Sequence, residues 1–112
     1  YDPRGPGPGR AAGEVRAVTP RWHPDALAEA DAATEFYRDK RRDLARRFLN
    51  SLAEALNRIE LHPHIYRELE PGIRKCQLKT FPYAVIFRDG MGIEILAVMH
   101  LRRQPGYWKD RA

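Results

Sequence analysis

Tyr83-Ala84-Val85-Ile86-Phe87-Arg88-Asp89-Gly90-Met91-Gly92-Ile93-Glu94-Ile95-Leu96-Ala97-Val98-Met99 is the stretch that decides the fold. β-Branched, aromatic and other apolar side chains fill both arms, and the first two kinds suit a pleated, half-buried backbone. Between the arms, Asp89-Gly90-Met91-Gly92 signals a hairpin, because glycine supplies the positive φ that tight turns need. The second arm, residues 93–99, is apolar on both parities, which predicts a central strand covered on both faces.

Working back from this hairpin, Phe81-Pro82 links it to a segment in which Cys76 and Leu78 alternate with Lys75, Gln77 and Lys79. That period of two predicts a strand over residues 74–79 with one wet face. Residues 63–72 read as a loop. Further back the period becomes helical: Leu44, Phe48, Leu52, Ala55, Leu56 and Ile59 form one stripe. The helix must end near His62, because Pro63 cannot continue it and restrains the residue before it. An earlier helix starts at His23-Pro24-Asp25, with proline at the first helical position and Asp25 and Glu29 favouring the positive end of the dipole. Leu27, Ala30, Ala33 and Tyr37 are its expected inward stripe. Between the stripes, Arg38-Asp39-Lys40-Arg41-Arg42-Asp43 fits either a tight turn between antiparallel helices or a kink in one long helix.

Residues 15–22 are a short extended candidate that Pro20 pushes toward a sheet edge. The expected architecture is α+β: a helical hairpin packed on a small twisted antiparallel sheet of three to four strands, one domain over residues 15–112. Residues 1–14 hold four glycines and three prolines without an apolar pattern. They read as a disordered or appended tail, unable to bury enough surface to offset its ordering entropy.

The 112 residues carry a formal charge of +5. In residues 1–14 the arginines and carboxylates cancel, so the excess belongs to the body. That basic balance, with a pI near 9.7, favours an anionic partner: nucleic acid, an acidic protein or a membrane surface. No apolar run is long enough to span a membrane, and a lone Cys76 excludes an internal disulfide and fits a reducing, cytoplasmic setting. Cys76 reads as a buried thiol. His62-Pro63-His64 is too closely spaced for a metal site and lacks further ligands nearby, so no metal is expected. No phosphate-cradling glycine loop or nucleophile elbow is present.

Candidate functional residues gather after the second arm, in His100-Leu101-Arg102-Arg103-Gln104-Pro105-Gly106-Tyr107-Trp108-Lys109-Asp110-Arg111-Ala112. Arg74, Lys75, Lys79, Arg88, Arg102 and Arg103 lie on or at the ends of strands. If they converge, they form a cationic surface for phosphates or acidic groups, with Tyr107 and Trp108 able to stack on a base. Metal-free RNA cleavage would need a base, an acid and cations at the phosphorane. His100, Tyr107, Lys75, Lys79 and Arg102 are the residues available for it. The bland reading competes at every position: a strand-end histidine held by hydrogen bonds, and two aromatics closing the core under the C-terminus. A second basic cluster, Arg38, Lys40, Arg41, Arg42, Arg46 and Arg47, reads either as a solvated helix end or as a docking surface for an acidic protein or nucleic acid.

Phe81-Pro82-Tyr83-Ala84-Val85-Ile86-Phe87, taken together with Ile95-Leu96-Ala97-Val98-Met99-His100-Leu101-Arg102-Arg103-Gln104-Pro105-Gly106-Tyr107-Trp108, resembles the RelE/ParE superfamily of bacterial toxins. The resemblance covers residues 15–111. It implies the toxin half of a type II toxin–antitoxin module, without a cofactor, neutralised by a cognate antitoxin. Charge adds that the antitoxin segment is acidic and folds on binding. RelE-like members cleave mRNA on the ribosome and tend to place an arginine after the third-strand tyrosine. Here Ala84 follows Tyr83, and a missing cation at the phosphorane removes about 2.7–4 kcal/mol if it acts as a lost oxyanion donor does. ParE-like members inhibit DNA gyrase by binding, and the two motifs look closer to these. The preferred expectation is therefore a gyrase-binding growth inhibitor with no catalytic residue. The alternatives are a ribosome-dependent endoribonuclease and a degenerate homologue that retains only antitoxin binding.

Overall fold

The computed structural model describes residues 20–112. The tail and residues 15–19 of the first extended candidate lie outside this range. In chain order the elements are β1 (Arg21–Trp22), α1 (Pro24–Lys40), α2 (Arg42–Leu61), a 3-10 turn (Pro63–Ile65), β2 (Arg67–Glu70), β3 (Ile73–Gln77), β4 (Tyr83–Gly90), β5 (Gly92–His100) and a final 3-10 turn (Lys109–Arg111). The α+β architecture is the expected one, but the sheet has five strands in the order β1-β5-β4-β3-β2. It is also mixed, because β1 runs parallel to β5 with Arg21 opposite Glu94 and Trp22 opposite Ile95. The extra antiparallel strand, β2, hides in the stretch read as a loop. Arg67-Glu68-Leu69-Glu70 carries almost no apolar signal because it is a sheet edge, and short charged edges resist pairing with other chains.

Pro24 opens α1 as expected, and the His23 Nδ1 accepts the Asp25 N–H at 3.1 Å, a side-chain cap on the helix start. Of the expected inward stripe, Ala30 and Ala33 are buried and Tyr37 packs on the core, but Leu27 is 50% exposed and Ala26 is buried in its place. One residue is about 100° of helical turn, so the small alanines face the sheet and let the helix approach closely. The break between helices is a single extended residue, Arg41 at φ −162° and ψ 145°. α2 buries Phe48, Leu52, Ala55 and Ile59 and ends just before Pro63, as its stripe predicts.

Two apolar clusters hold the layers together. Between helices and sheet, Phe48, Ile59, Cys76, Val85, Phe87, Ile95 and Val98 pack with the α1 alanines. Tyr37, Phe48, Phe81 and Tyr83 join there with ring centroids 5.0–6.3 Å apart, geometries that add to the gain from buried area. On the opposite face Ile73, Ile86, Leu96, Ala97 and Met99 are covered by Trp108. This is why residues 95–99 are buried on both parities: the helices cover one face of β5 and the C-terminal segment the other.

The link from β3 to β4 is tightly wound. Thr80 sits at φ 76°, and the Phe81 N–H donates back to the Lys79 carbonyl at 2.9 Å, a three-residue γ-turn of the strained, positive-φ kind. The Ser51 hydroxyl of α2 donates to the same carbonyl at 2.7 Å.

Candidate binding surface

The cationic and aromatic side chains singled out in the sequence do not converge on one face. Alternation along β3 sends Arg74 and Lys75 to opposite sides of the sheet. Arg74 turns back into the protein, its Nη1 donating to the Tyr66 carbonyl at 2.9 Å with the Glu68 carboxylate 3.7 Å from Nη2. Lys75 stays on the face of Ile73 and Ile86 and makes no ion pair among the described residues. β3 ends at Gln77, so Lys79 lies beyond the strand and its ammonium falls 3.8 Å from Glu54 of α2. Arg88 is paired with Glu94 across the hairpin.

At the far end of β5, His100 stands opposite Tyr83, their rings edge-on at 5.0 Å. Its Nδ1 accepts the Arg102 N–H at 3.1 Å, so one ring nitrogen is spent on the turn that ends the strand. Arg102 itself is exposed and makes no ion pair among the described residues. Trp108 is 3% exposed and belongs to the core beneath the sheet, which removes it from the expected binding set. Its indole is the largest apolar group available to cover β4 and β5 there. Gly106, at φ 86°, makes the turn that brings it round.

Tyr107 is the most altered of these residues. The Arg103 guanidinium lies over its ring at 3.8 Å and that of Arg111 at 5.1 Å. Its hydroxyl is buried and makes no hydrogen bond of good geometry among the described residues. Burial, and then the adjacent Glu29 carboxylate, push its pKa well above the ordinary phenol value, against the weaker pull of the two arginines. Such a group neither releases nor passes a proton near neutrality.

Glu29 organises this end of the molecule. Its Oε1 accepts the Val98 N–H and one Arg111 nitrogen, its Oε2 accepts the other, each at 3.0 Å. Arg103 is 3.7 Å away. Arg111 also donates to the Leu96 carbonyl at 3.0 Å. β1 is only two residues long, so β5 would otherwise leave these backbone groups bare, and the fork takes the place of a neighbouring strand. In the sequence Glu29 reads only as a helix-dipole residue; its one further signal is the excess of arginine at the C-terminus, which needed a carboxylate from somewhere.

Beside this network a groove of about 250 Å³ runs between α1 and β5, lined by Ala32, Ala33, Phe36, Val98, His100 and Arg103, among others. Phe36 is 53% exposed on its rim. The floor is apolar, and Arg103, His100 and the Glu29 carboxylate line its polar side, a form that suits an amphipathic segment. No group of three or more His, Cys, Asp or Glu residues able to hold a metal ion occurs among the described residues, and no helix there is long and apolar enough to cross a membrane.

Comparison with known proteins agrees with this geometry. The family model of the ParE toxin of the type II toxin–antitoxin system parDE matches residues 21–105. A solved structure described as the chromosomal ParDE TA system from P. aeruginosa shares the fold, with a TM-score of 0.65 over 77% of this chain and 98% of that one at 21% identity. No curated protein matches the chain in sequence. With most of its length matched by the family model, the chain belongs to the ParE toxin family of type II toxin–antitoxin systems.

Proposed function

We propose that this toxin arrests growth by binding and inhibiting DNA gyrase in the cytoplasm, and not by cutting RNA. The observation that carries the reading is the state of Tyr107: a buried hydroxyl between two arginines and a carboxylate, its pKa raised, is unsuited to general acid chemistry. Two of the other nuclease candidates, and the residue after Tyr83, point the same way. His100 spends Nδ1 on the Arg102 N–H, Lys79 sits beside Glu54, and Ala84 is fully buried where RelE-like members tend to carry an arginine. A binding inhibitor needs none of these groups to move a proton.

A cognate antitoxin holds the toxin inactive. Its neutralising segment is acidic and amphipathic and folds as it binds, with the groove between α1 and β5 as its seat: apolar side chains meet Phe36, Ala32 and Val98, and carboxylates meet Arg103. The neighbouring solved structure is itself described as a ParDE system.

The test is direct. The chain is expressed, arrest confirmed, and purified toxin assayed for inhibition of gyrase supercoiling beside translation-dependent mRNA cleavage. Loss of supercoiling with intact message is the expected result. Cleaved message with normal supercoiling overturns the proposal in favour of a ribosome-dependent endoribonuclease.

A further inference from the structure

A dense cluster of positive charge sits at the tip of the helical hairpin, away from the C-terminal network. Residues 38–47 contain six cations, Arg38, Lys40, Arg41, Arg42, Arg46 and Arg47, against Asp39 and Asp43. Their surplus of four is nearly the whole +5 of the chain. At the C-terminus, by contrast, Arg103 and Arg111 are held by Glu29, and Lys109 by Glu70. At the hairpin tip Arg38 pairs with Glu35, and Arg41 and Arg47 share one carboxylate, Asp43. Arg42 and Arg46 are exposed and make no ion pair among the described residues.

We infer that this corner binds the phosphate backbone of duplex DNA without regard to sequence. Arg42 and Arg46 stand one turn apart on the outer face of α2, about 6 Å along the axis, a separation that suits neighbouring phosphates of one strand. The chemistry of the corner argues against other polyanions. An acidic protein surface is gripped through buried aromatic and apolar anchors, and residues 38–47 hold no aromatic and only Leu44 and Ala45 as apolar side chains, half-buried and buried. The same lack of an aromatic leaves residues 38–47 without the stacking platform that single-stranded RNA recognition relies on. What remains is a projecting array of long cationic side chains, the equipment for backbone contact. The surface ion pairs to Asp43 are weak enough to exchange for phosphate. The inference stands apart from the choice of target, since a growth inhibitor with either target can carry this surface.

The experiment measures fluorescence anisotropy of a short mixed-sequence DNA duplex with the purified full chain. With three to four phosphates neutralised, affinity falls about 40- to 150-fold between about 50 and 200 mM salt. In the double variant Arg42→Gln/Arg46→Gln the same salt change costs only about 3- to 12-fold, because two contacts are gone. Glutamine keeps the helix, and circular dichroism checks that it has. A charge-matched variant, Arg21→Gln/Arg67→Gln, controls for net charge and keeps the wild-type salt slope. The inference is overturned if the duplex does not bind, if the two double variants behave alike, or if a polyglutamate peptide or single-stranded RNA of equal charge binds more tightly than the duplex.

Discussion

Glu29 and Arg111, 82 residues apart in the chain, meet in a two-pronged fork with both nitrogen–oxygen distances at 3.0 Å. Their side chains are only 16% and 13% exposed, and between them they also satisfy the Val98 N–H and the Leu96 carbonyl at the open side of β5. Removing one partner of such a pair leaves a poorly solvated charge and a bare strand edge. Glu29→Ala is therefore expected to cost about 3 kcal/mol, read as a lower midpoint in urea unfolding. Arg111→Lys keeps the charge but loses the planar fork and is expected to cost about 1–2 kcal/mol. A loss below about 1 kcal/mol for Glu29→Ala would place the fork among ordinary surface pairs.

Tyr107 makes stability fall at alkaline pH. Its folded pKa lies above the unfolded value near 10, so as pH rises past 10 the unfolded chain ionises first and binds fewer protons than the folded one. Stability is full below the unfolded pKa and declines as pH climbs from there toward the folded value. Tyr107→Phe removes this group's share of the decline. Near neutrality it keeps the ring contacts with Arg103 and frees the protein of a buried, unpaired hydroxyl, so stability is expected to hold or rise by up to about 1 kcal/mol. Growth arrest is expected to persist, because no proton passes through the hydroxyl. Unfolding curves from pH 9 to 11 and a plating assay measure both. An unchanged alkaline decline, or abolished arrest with the fold intact, contradicts the assignment.

How much of this was legible in the sequence depends on how local the signal is. The α2 stripe, the Pro63 stop, the hairpin at Gly90–Gly92 and the doubly covered β5 all rest on spacing within one element, and they are found where expected. The family resemblance also rests on local strings and is upheld by the family model. β2 was missed because an edge strand made of Arg67, Glu68 and Glu70 has no apolar alternation to read. The direction of the cations was illegible for a different reason. Whether Arg103 or Arg111 faces water depends on a carboxylate in another helix, and no period within the C-terminal segment reports Glu29. Convergence of Arg74 and Lys75 is excluded once the strand is formed, because neighbours on a strand point to opposite faces.

Strain at Thr80 gives a third prediction. A β-branched residue at φ 76° occupies backbone space that costs an L-residue about 1–2 kcal/mol, whereas glycine enters it freely at an entropic cost of about 0.5–1 kcal/mol. Thr80→Gly is expected to stabilise the fold by about 0.5–1 kcal/mol, the difference between the two. Thr80→Ala relieves only the branching and is expected to gain less. The comparison is made by thermal and urea unfolding of the three proteins. Destabilisation by glycine would mean that the threonine side chain contributes more than the turn costs.

Trp108 and Arg102 lie six residues apart and play separable parts. Trp108 fills the space beneath Ile86, Leu96 and Met99, so Trp108→Ala leaves a large cavity and is expected to cost about 3–5 kcal/mol. Any loss of arrest then follows from loss of fold. Arg102 is exposed and touches no carboxylate among the described residues, so Arg102→Ala is expected to change stability by no more than about 0.5 kcal/mol. If Arg102 belongs to the surface that meets the target, arrest and gyrase inhibition fall together in Arg102→Ala while the unfolding midpoint stays put. Unchanged inhibition in Arg102→Ala would move the target surface away from the C-terminal turn and toward the helical hairpin, where six cations cluster within residues 38–47.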